Sequence, residues 1–316
     1  MSVGRYQAIR EALLAVHRKE FIPTLLMLSI WGLTLNVRTH ARLELVALAI
    51  LINLLLLLSV QALNAAADSR ADCNNPLKQQ VAQGVAVIGQ RAVWHIALLE
   101  MALGLLLSLI LSLQIHSWLV FCGVAGFLVA ALLYDLEPMR LKRRGLWGPT
   151  MLALYLGFSP GFIGCIVVFD SLLPFSTWLM LCGVTLAAYG RACWASIADT
   201  PEDRVAGLQT PSVHYGPHTT MRLAIGCLIL ATLLLLWGGS LLFGLPLALC
   251  CSAGTLASGL WMLRIIRQTS TDEQAILLLQ TRSTRIQDLR LSQLRYACLL
   301  FPGLALFLWL SFVGPG

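Results

Sequence analysis

The chain has 316 residues, 58% of them hydrophobic and 12% charged, with a formal net charge of +7. That balance excludes a soluble globular domain, and Lys and Arg in the loops of a polytopic membrane protein explain the positive charge without nucleic acid. The nine cysteines form no CxxC pair and mostly sit in apolar runs, which argues against a disulfide framework or a zinc site.

Apolar stretches of spanning length fall near 21–37, 43–64, 92–115, 116–134, 147–169, 174–197, 219–239, 240–265 and 295–314. The expectation is an all-α, nine-transmembrane-helix bundle formed as a single domain over residues 1–316. No small-residue cleavage site accompanies the first run, so a removable signal peptide is not expected. Gly157, Pro160, Gly161 and Gly164 interrupt the fifth run and read as points of close helix packing. Between the eighth and ninth runs, residues 266–294 mix Ile276–Leu279 with arginines and read as an amphipathic helix on the membrane surface.

With the N-terminus in the cytoplasm, most of the 22 Lys and Arg fall on that side, whereas Arg38 and Arg42 fall opposite. The positive-inside rule sets the orientation accordingly. A multi-pass protein of a bacterial-type inner or plasma membrane follows, with its N-terminus and active site cytoplasmic. Trp94, Trp118, Trp147 and Trp178 lie near span ends as an interfacial aromatic belt.

Carboxylates are scarce, yet they pair. Asn64, Asp68 and Asp72 are spaced by four at the end of the second run. If the helix continues, each step turns only about 40° and rises about 6 Å, so the three share one stripe. Asp199 and Asp203 repeat the step at the end of the sixth run, with Pro201 placing them on a first helical turn or a loop. Four crossings separate the motifs, so both emerge on the cytoplasmic face, as does the basic loop 134–145 between them. Close carboxylates repel unless cations intervene, and a hard divalent ion, Mg²⁺ above all, suits carboxylate oxygens completed by substrate phosphate. Lys78, Arg140 and Lys142 are placed to neutralise a diphosphate. Arg143 and Arg144 read as topology signals alone.

Asn64-x-x-x-Asp68-x-x-x-Asp72, Asp199-x-x-x-Asp203 and Tyr134-x-x-x-Pro138-x-Arg140-x-Lys142 together resemble the signatures of the UbiA superfamily of intramembrane prenyltransferases. The flanks Asn75-Pro76-Leu77-Lys78, Arg204, Gly207 and Thr210 fit the same pattern, and the resemblance covers nearly the whole chain. It implies Mg²⁺-dependent transfer of an isoprenyl group from an isoprenyl diphosphate donor to a lipophilic acceptor within the bilayer. Carried over by position, Asn64, Asp68, Asp72, Asp199 and Asp203 organise the metals, the four aspartates being the catalytic set. Lys78, Arg140 and Lys142 hold the diphosphate, with Tyr134 and Asn64 beside them.

The chain departs from the pattern at Ala65, Gln79, Asp135 and Pro149, where relatives carry an acid, a Pro, a Ser and an Asn. These positions lie near where an acceptor would sit: an aromatic compound, quinone precursor, tetrapyrrole or lipid. The motif flanks are similar to chlorophyll-synthase, homogentisate and archaeal lipid prenyltransferases. Two other readings stay open, a membrane terpene cyclase of the same superfamily and a transporter with acidic gating residues. His95 and Glu100 are further polar groups inside the third run, and either Glu100 or Asp135 is a candidate proton acceptor.

Overall fold

The computed structural model describes residues 3–36, 42–73, 78–169 and 173–285. In chain order its helices are α1 (Val3–Val16), α2 (Ile22–Ile30), α3 (Leu43–Asp72), α4 (Gln79–Ile88), α5 (Gln90–Gln114), α6 (Leu119–Asp135) and α7 (Trp147–Ala153). There follow α8 (Ser159–Val168), α9 (Phe175–Ala198), α10 (Thr200–Val205), α11 (Pro211–Tyr215), α12 (Pro217–Phe243), α13 (Leu245–Gln268) and α14 (Asp272–Arg285). Among the described residues no strand forms; a single parallel bridge joins Arg144 to Gln209.

Five stretches are long and apolar enough to cross a membrane: Leu43–Ser69, Gln90–Gln114, Trp147–Val168, Pro217–Phe243 and Leu245–Gln268. Leu25–Leu35 and Leu119–Asp135 are apolar but shorter. Helix α9 has 24 residues but carries Arg191 and several hydroxyls along its length. The ninth expected run, 295–314, lies outside the described residues. Leu99, Leu106 and Leu113 on α5 and Leu230, Leu233 and Leu241 on α12 stay exposed, as lipid-facing positions do.

The main core gathers Leu25, Trp31, Ile52, Leu56, Phe127, Ile163 and Leu181 from α2, α3, α6, α8, α9 and the turn after α2. Gly161 explains how these helices approach. A Cβ there would collide with the Trp31 indole, and one on Gly32 would collide with the Gly161 carbonyl. The glycines of the fifth run are therefore packing devices, as their positions implied. Pro160 cannot donate a backbone hydrogen bond, and the chain passes through a π turn at Leu154–Phe158 just before it. Buried Asn53 donates to Ser29 O (3.0 Å) and Pro160 O (3.1 Å), stitching α3 to α2 and α8.

Part of the segment expected on the membrane surface packs on the bundle. Helix α13 runs on to Gln268, and α14 buries Ala275, Ile276 and Leu279 against Ile197, Met221 and Ile265. Its apolar stripe faces the protein because the ends of α9, α12 and α13 offer a matching surface. Residues 286–294 of that segment lie outside the described residues. His95 is exposed on the face of α5 opposite Val93 and Ala97, which pack against the end of α3, and that orientation removes it from the catalytic candidates.

Candidate active site

Helix α3 is unbroken for 30 residues and carries Asn64, Asp68 and Asp72 down one stripe. Its last turns are held by a second core cluster, in which Ala62, Leu63, Ala65 and Ala66 meet Val16, Val81 and Val85 from the ends of α1 and α4. Small residues at 62, 65 and 66 let those elements approach closely. Lys78, just before α4, thereby lies beside the acids, with Nζ 3.4 Å from Asp72 Oδ1.

The basic loop reaches the same place from the far side. Arg140 Nη2 donates to Asp68 Oδ1 at 2.6 Å, and Lys142 Nζ donates to Asp68 Oδ2 and Asp135 Oδ1, both at 2.7 Å. Asn64 Nδ2 donates to Asp135 Oδ1 at 3.1 Å. The Asp135 side chain is fully buried, and those of Asp68, Arg140 and Lys142 are no more than 16% exposed. Asp135 is thus tied into the network as a partner, while its Oδ2 has none among the described residues. Arg140 holds a left-handed backbone (φ 33°), an uncommon state for a residue with a Cβ and one that aims its guanidinium at α3. Lys142 Nζ also sits 5.8 Å from the Tyr134 ring centre, and Tyr134 meets Tyr155 of the π turn edge-on at 5.5 Å.

The second acidic motif follows α9 directly. Asp199 caps that helix, and Pro201 at the start of α10 turns the chain so that Asp203 N donates to Asp199 O (2.9 Å). Asp203 Oδ2 accepts a hydrogen bond from Thr210 Oγ1 (2.8 Å). Burial raises the pKa of Asp199, with Lys78 and Arg18 pulling the other way. Burial, aided by Asp199, pushes Asp203 up to about 6 despite the Thr210 hydrogen bond. Burial would depress Lys78, but the charges of Asp72, Asp199 and Asp68 outweigh it and raise its pKa. Lys78 therefore feels carboxylates from both motifs, the electrostatic sign that the two converge at one end of the bundle.

All nine residues singled out from the motifs lie at this end. Asn64, Asp68, Arg140, Lys142 and Tyr134 form one connected group, Asp72 and Lys78 a second, Asp199 and Asp203 a third. Arg140 and Lys142, expected to hold a diphosphate, pair here with Asp68. Among the described residues no three His, Cys, Asp or Glu side chains gather closely enough to hold a metal alone. Glu100 pairs with His17 Nε2 at 3.0 Å, a structural contact between α5 and the end of α1.

Arg18 also stands at this end of the bundle, although the motifs did not single it out. It lines a small cavity with Gln61, Asn64, Asp72 and Lys78, and its left-handed backbone (φ 51°) sets its guanidinium 4.4 Å from the Phe21 ring centre. Only its position shortly before the first apolar run could have flagged it.

The chain is 30% identical over 194 residues to the bacteriochlorophyll synthase 33 kDa chain of Cereibacter sphaeroides, a match covering 60% of this chain and 62% of that one. It is 31% identical over 134 residues to the chain of the same name from Rhodobacter capsulatus, covering 42% and 44%. The match thus spans less than two thirds of the length of these curated relatives. Among solved structures, a UbiA homolog from Archaeoglobus fulgidus bound to DMAPP and Mg²⁺ shares the fold, with a TM-score of 0.68, 15% identity and coverage of 91% and 98%. A digeranylgeranylglyceryl phosphate synthase structure gives a TM-score of 0.63 at 17% identity, covering 92% and 99%. The UbiA prenyltransferase family model matches residues 25–284, taking in both acidic motifs and the basic loop between them, and the chain belongs to that family.

Proposed function

We propose that this protein is an integral-membrane prenyltransferase. It transfers an isoprenyl group from an allylic isoprenyl diphosphate to a lipophilic acceptor and releases diphosphate. One observation carries the reading: Lys78, Arg140 and Lys142 converge with two Asp pairs at one end of an apolar bundle. A site that binds a polyanion beside carboxylates needs both signs of charge, and a transporter's midplane site would not sit at the bundle's end.

Mg²⁺ fits the donor set. The acids offer hard oxygens with no Cys or His among them, and Mg²⁺ is held by one or two carboxylates per ion together with substrate phosphate, not by a closed protein cage. Asp68, Asp72, Asp199 and Asp203, with Asn64, would hold it. When bound, the ion neutralises charge on the departing diphosphate. Lys78, Arg140 and Lys142 bind the diphosphate oxygens and stabilise the negative charge that grows as the C–O bond breaks. Asp68 must give up Arg140 and Lys142 for this, so donor binding exchanges one set of ion pairs for another. Tyr134 presents its ring beside that point, and the apolar walls below exclude water from the allylic cation.

The whole chain acts as one domain, with nine crossings and the site open to the cytoplasm, as the distribution of basic residues supports. The solved relative with DMAPP and Mg²⁺ supports the donor class, and the bacteriochlorophyll synthase relatives make a tetrapyrrole the first acceptor to try. Purified protein with geranyl, farnesyl or geranylgeranyl diphosphate and an acceptor panel is expected to form prenylated product only with Mg²⁺. Diphosphate release that consumes no acceptor would favour a cyclase instead.

A further inference from the structure

A second cavity lies beside the acidic site. A groove of about 890 Å³ opens between α7, α9 and the segment before α12, lined by Arg143, Arg144, Trp147, Tyr189, Gln209 and His214 among others. Among the described residues no carboxylate lines it. Its wall is pinned at one end: Gln209 N donates to Arg143 O (3.1 Å), and Gly145 N donates to Gln209 O. The segments that form this wall also carry Arg140 and Lys142 on one side and the Thr210 that binds Asp203 on the other.

Polarity changes along the groove. Arg143, Arg144, Gln209 and His214 stand at loop level, whereas Tyr189 lies roughly two and a half turns before the end of α9. Trp147 begins α7 and is 58% exposed, the amphipathic placement of an aromatic at a membrane interface. Among the described residues the Arg143 side chain meets the exposed Glu137, at 3.5 Å, and its buried Nε has no acceptor. Arg144 gives one N–H to Pro138 O and is otherwise turned outward. Cations at the mouth and aromatic rings further down match one kind of ligand.

We propose that this groove binds an amphipathic anion, with its phosphate or carboxylate on Arg143 and Arg144 and its apolar body against Trp147 and Tyr189. Such a molecule is either an anionic phospholipid of the bilayer or a non-lipid amphiphile such as an acidic acceptor. Arg143 and Arg144 then do more than set topology. The inference needs no catalytic activity, so it stands or falls separately from the proposed reaction.

The test is retention measured by native mass spectrometry of the full-length protein released from nanodiscs. One arm contains equal dioleoyl-phosphatidylglycerol and dioleoyl-phosphatidylcholine. The other contains phosphatidylcholine alone, with 1-pyrenebutyrate or the uncharged 1-pyrenebutanol added. Wild type is expected to retain at least one anionic probe over its neutral counterpart by about tenfold or more, and R143Q/R144Q to lose that preference. Preference for phosphatidylglycerol identifies the lipid as the source; preference for pyrenebutyrate alone identifies a non-lipid amphiphile. No preference in either arm, or an unchanged preference in R143Q/R144Q, would overturn the proposal. Should the double variant fail to fold, Trp147→Leu keeps both arginines and alters an exposed side chain. It is expected to weaken retention severalfold, and unchanged retention would equally overturn the site.

Discussion

Asp68 and Arg140 stand 72 residues apart in sequence and meet at 2.6 Å, with Lys142 on the other oxygen of the same carboxylate. The contact joins the first acidic motif to the basic loop and sets two cations where the proposed reaction needs them. Replacing Asp68 by Asn should therefore separate binding from catalysis. The variant loses activity, and it loses about 1–3 kcal/mol of stability because two largely buried cations lose the carboxylate they share and keep only Asp135 and Glu137. Without Mg²⁺ it should bind inorganic diphosphate more tightly than wild type, since Asp68 no longer competes for Arg140 and Lys142. Isothermal titration and thermal unfolding with added diphosphate read both effects; weaker diphosphate binding in the variant would contradict the exchange of ion pairs.

Arg18 shares a cavity with Asn64, Asp72 and Lys78, and its charge reaches both Asp72 and Asp199. Arg18→Gln is expected to raise KM for the prenyl diphosphate by about tenfold, the size of one lost charge-assisted contact, with a smaller change in kcat. Arg18→Lys should recover part of the loss as a point charge. Steady-state kinetics in donor concentration checks this, and a fall in kcat alone would point to a different role.

The His17–Glu100 contact supplies a pH signature in stability. Burial works to lower the His17 pKa, but the Glu100 hydrogen bond and charge, with the Leu13 carbonyl, raise it overall. A group raised on folding contributes stability that is fully present below its unfolded value of about 6.5 and is lost as pH rises through the folded value. Thermal midpoints of wild type should fall across that interval, and His17→Gln should flatten the fall. Parallel curves would contradict the assignment.

Packing offers an independent check. Gly161→Ala places a methyl group inside the Trp31 indole, so the α8 contact must open. A loss of about 1–3 kcal/mol, or failure to fold, is expected from overpacking of this kind. Thermal unfolding in detergent measures it, and wild-type stability would show that the helices are less tightly joined than described.

Much of the site was legible because its spacing is local. Asn64, Asp68 and Asp72 needed only a continuous helix, and Pro201 was readable as the start of a turn. What joins distant segments was not. Nothing in residues 134–145 states that Arg140 and Lys142 both choose Asp68, since that depends on the left-handed backbone at Arg140. Arg18 sits 54 residues before Asp72 and reads as one more topology charge. The apolar stripe of α14 suits a membrane surface as well as a protein one, and only the ends of α9, α12 and α13 decide between them.

The most direct test follows diphosphate release from geranylgeranyl and shorter prenyl diphosphates by purified wild type, Asp68→Ala and Asp199→Ala, with and without Mg²⁺ and with a panel of lipophilic acceptors. The expected result is Mg²⁺-dependent, acceptor-dependent release by wild type and its loss in both variants. Release that persists in either variant, or no release by wild type from any donor, would contradict the proposed site.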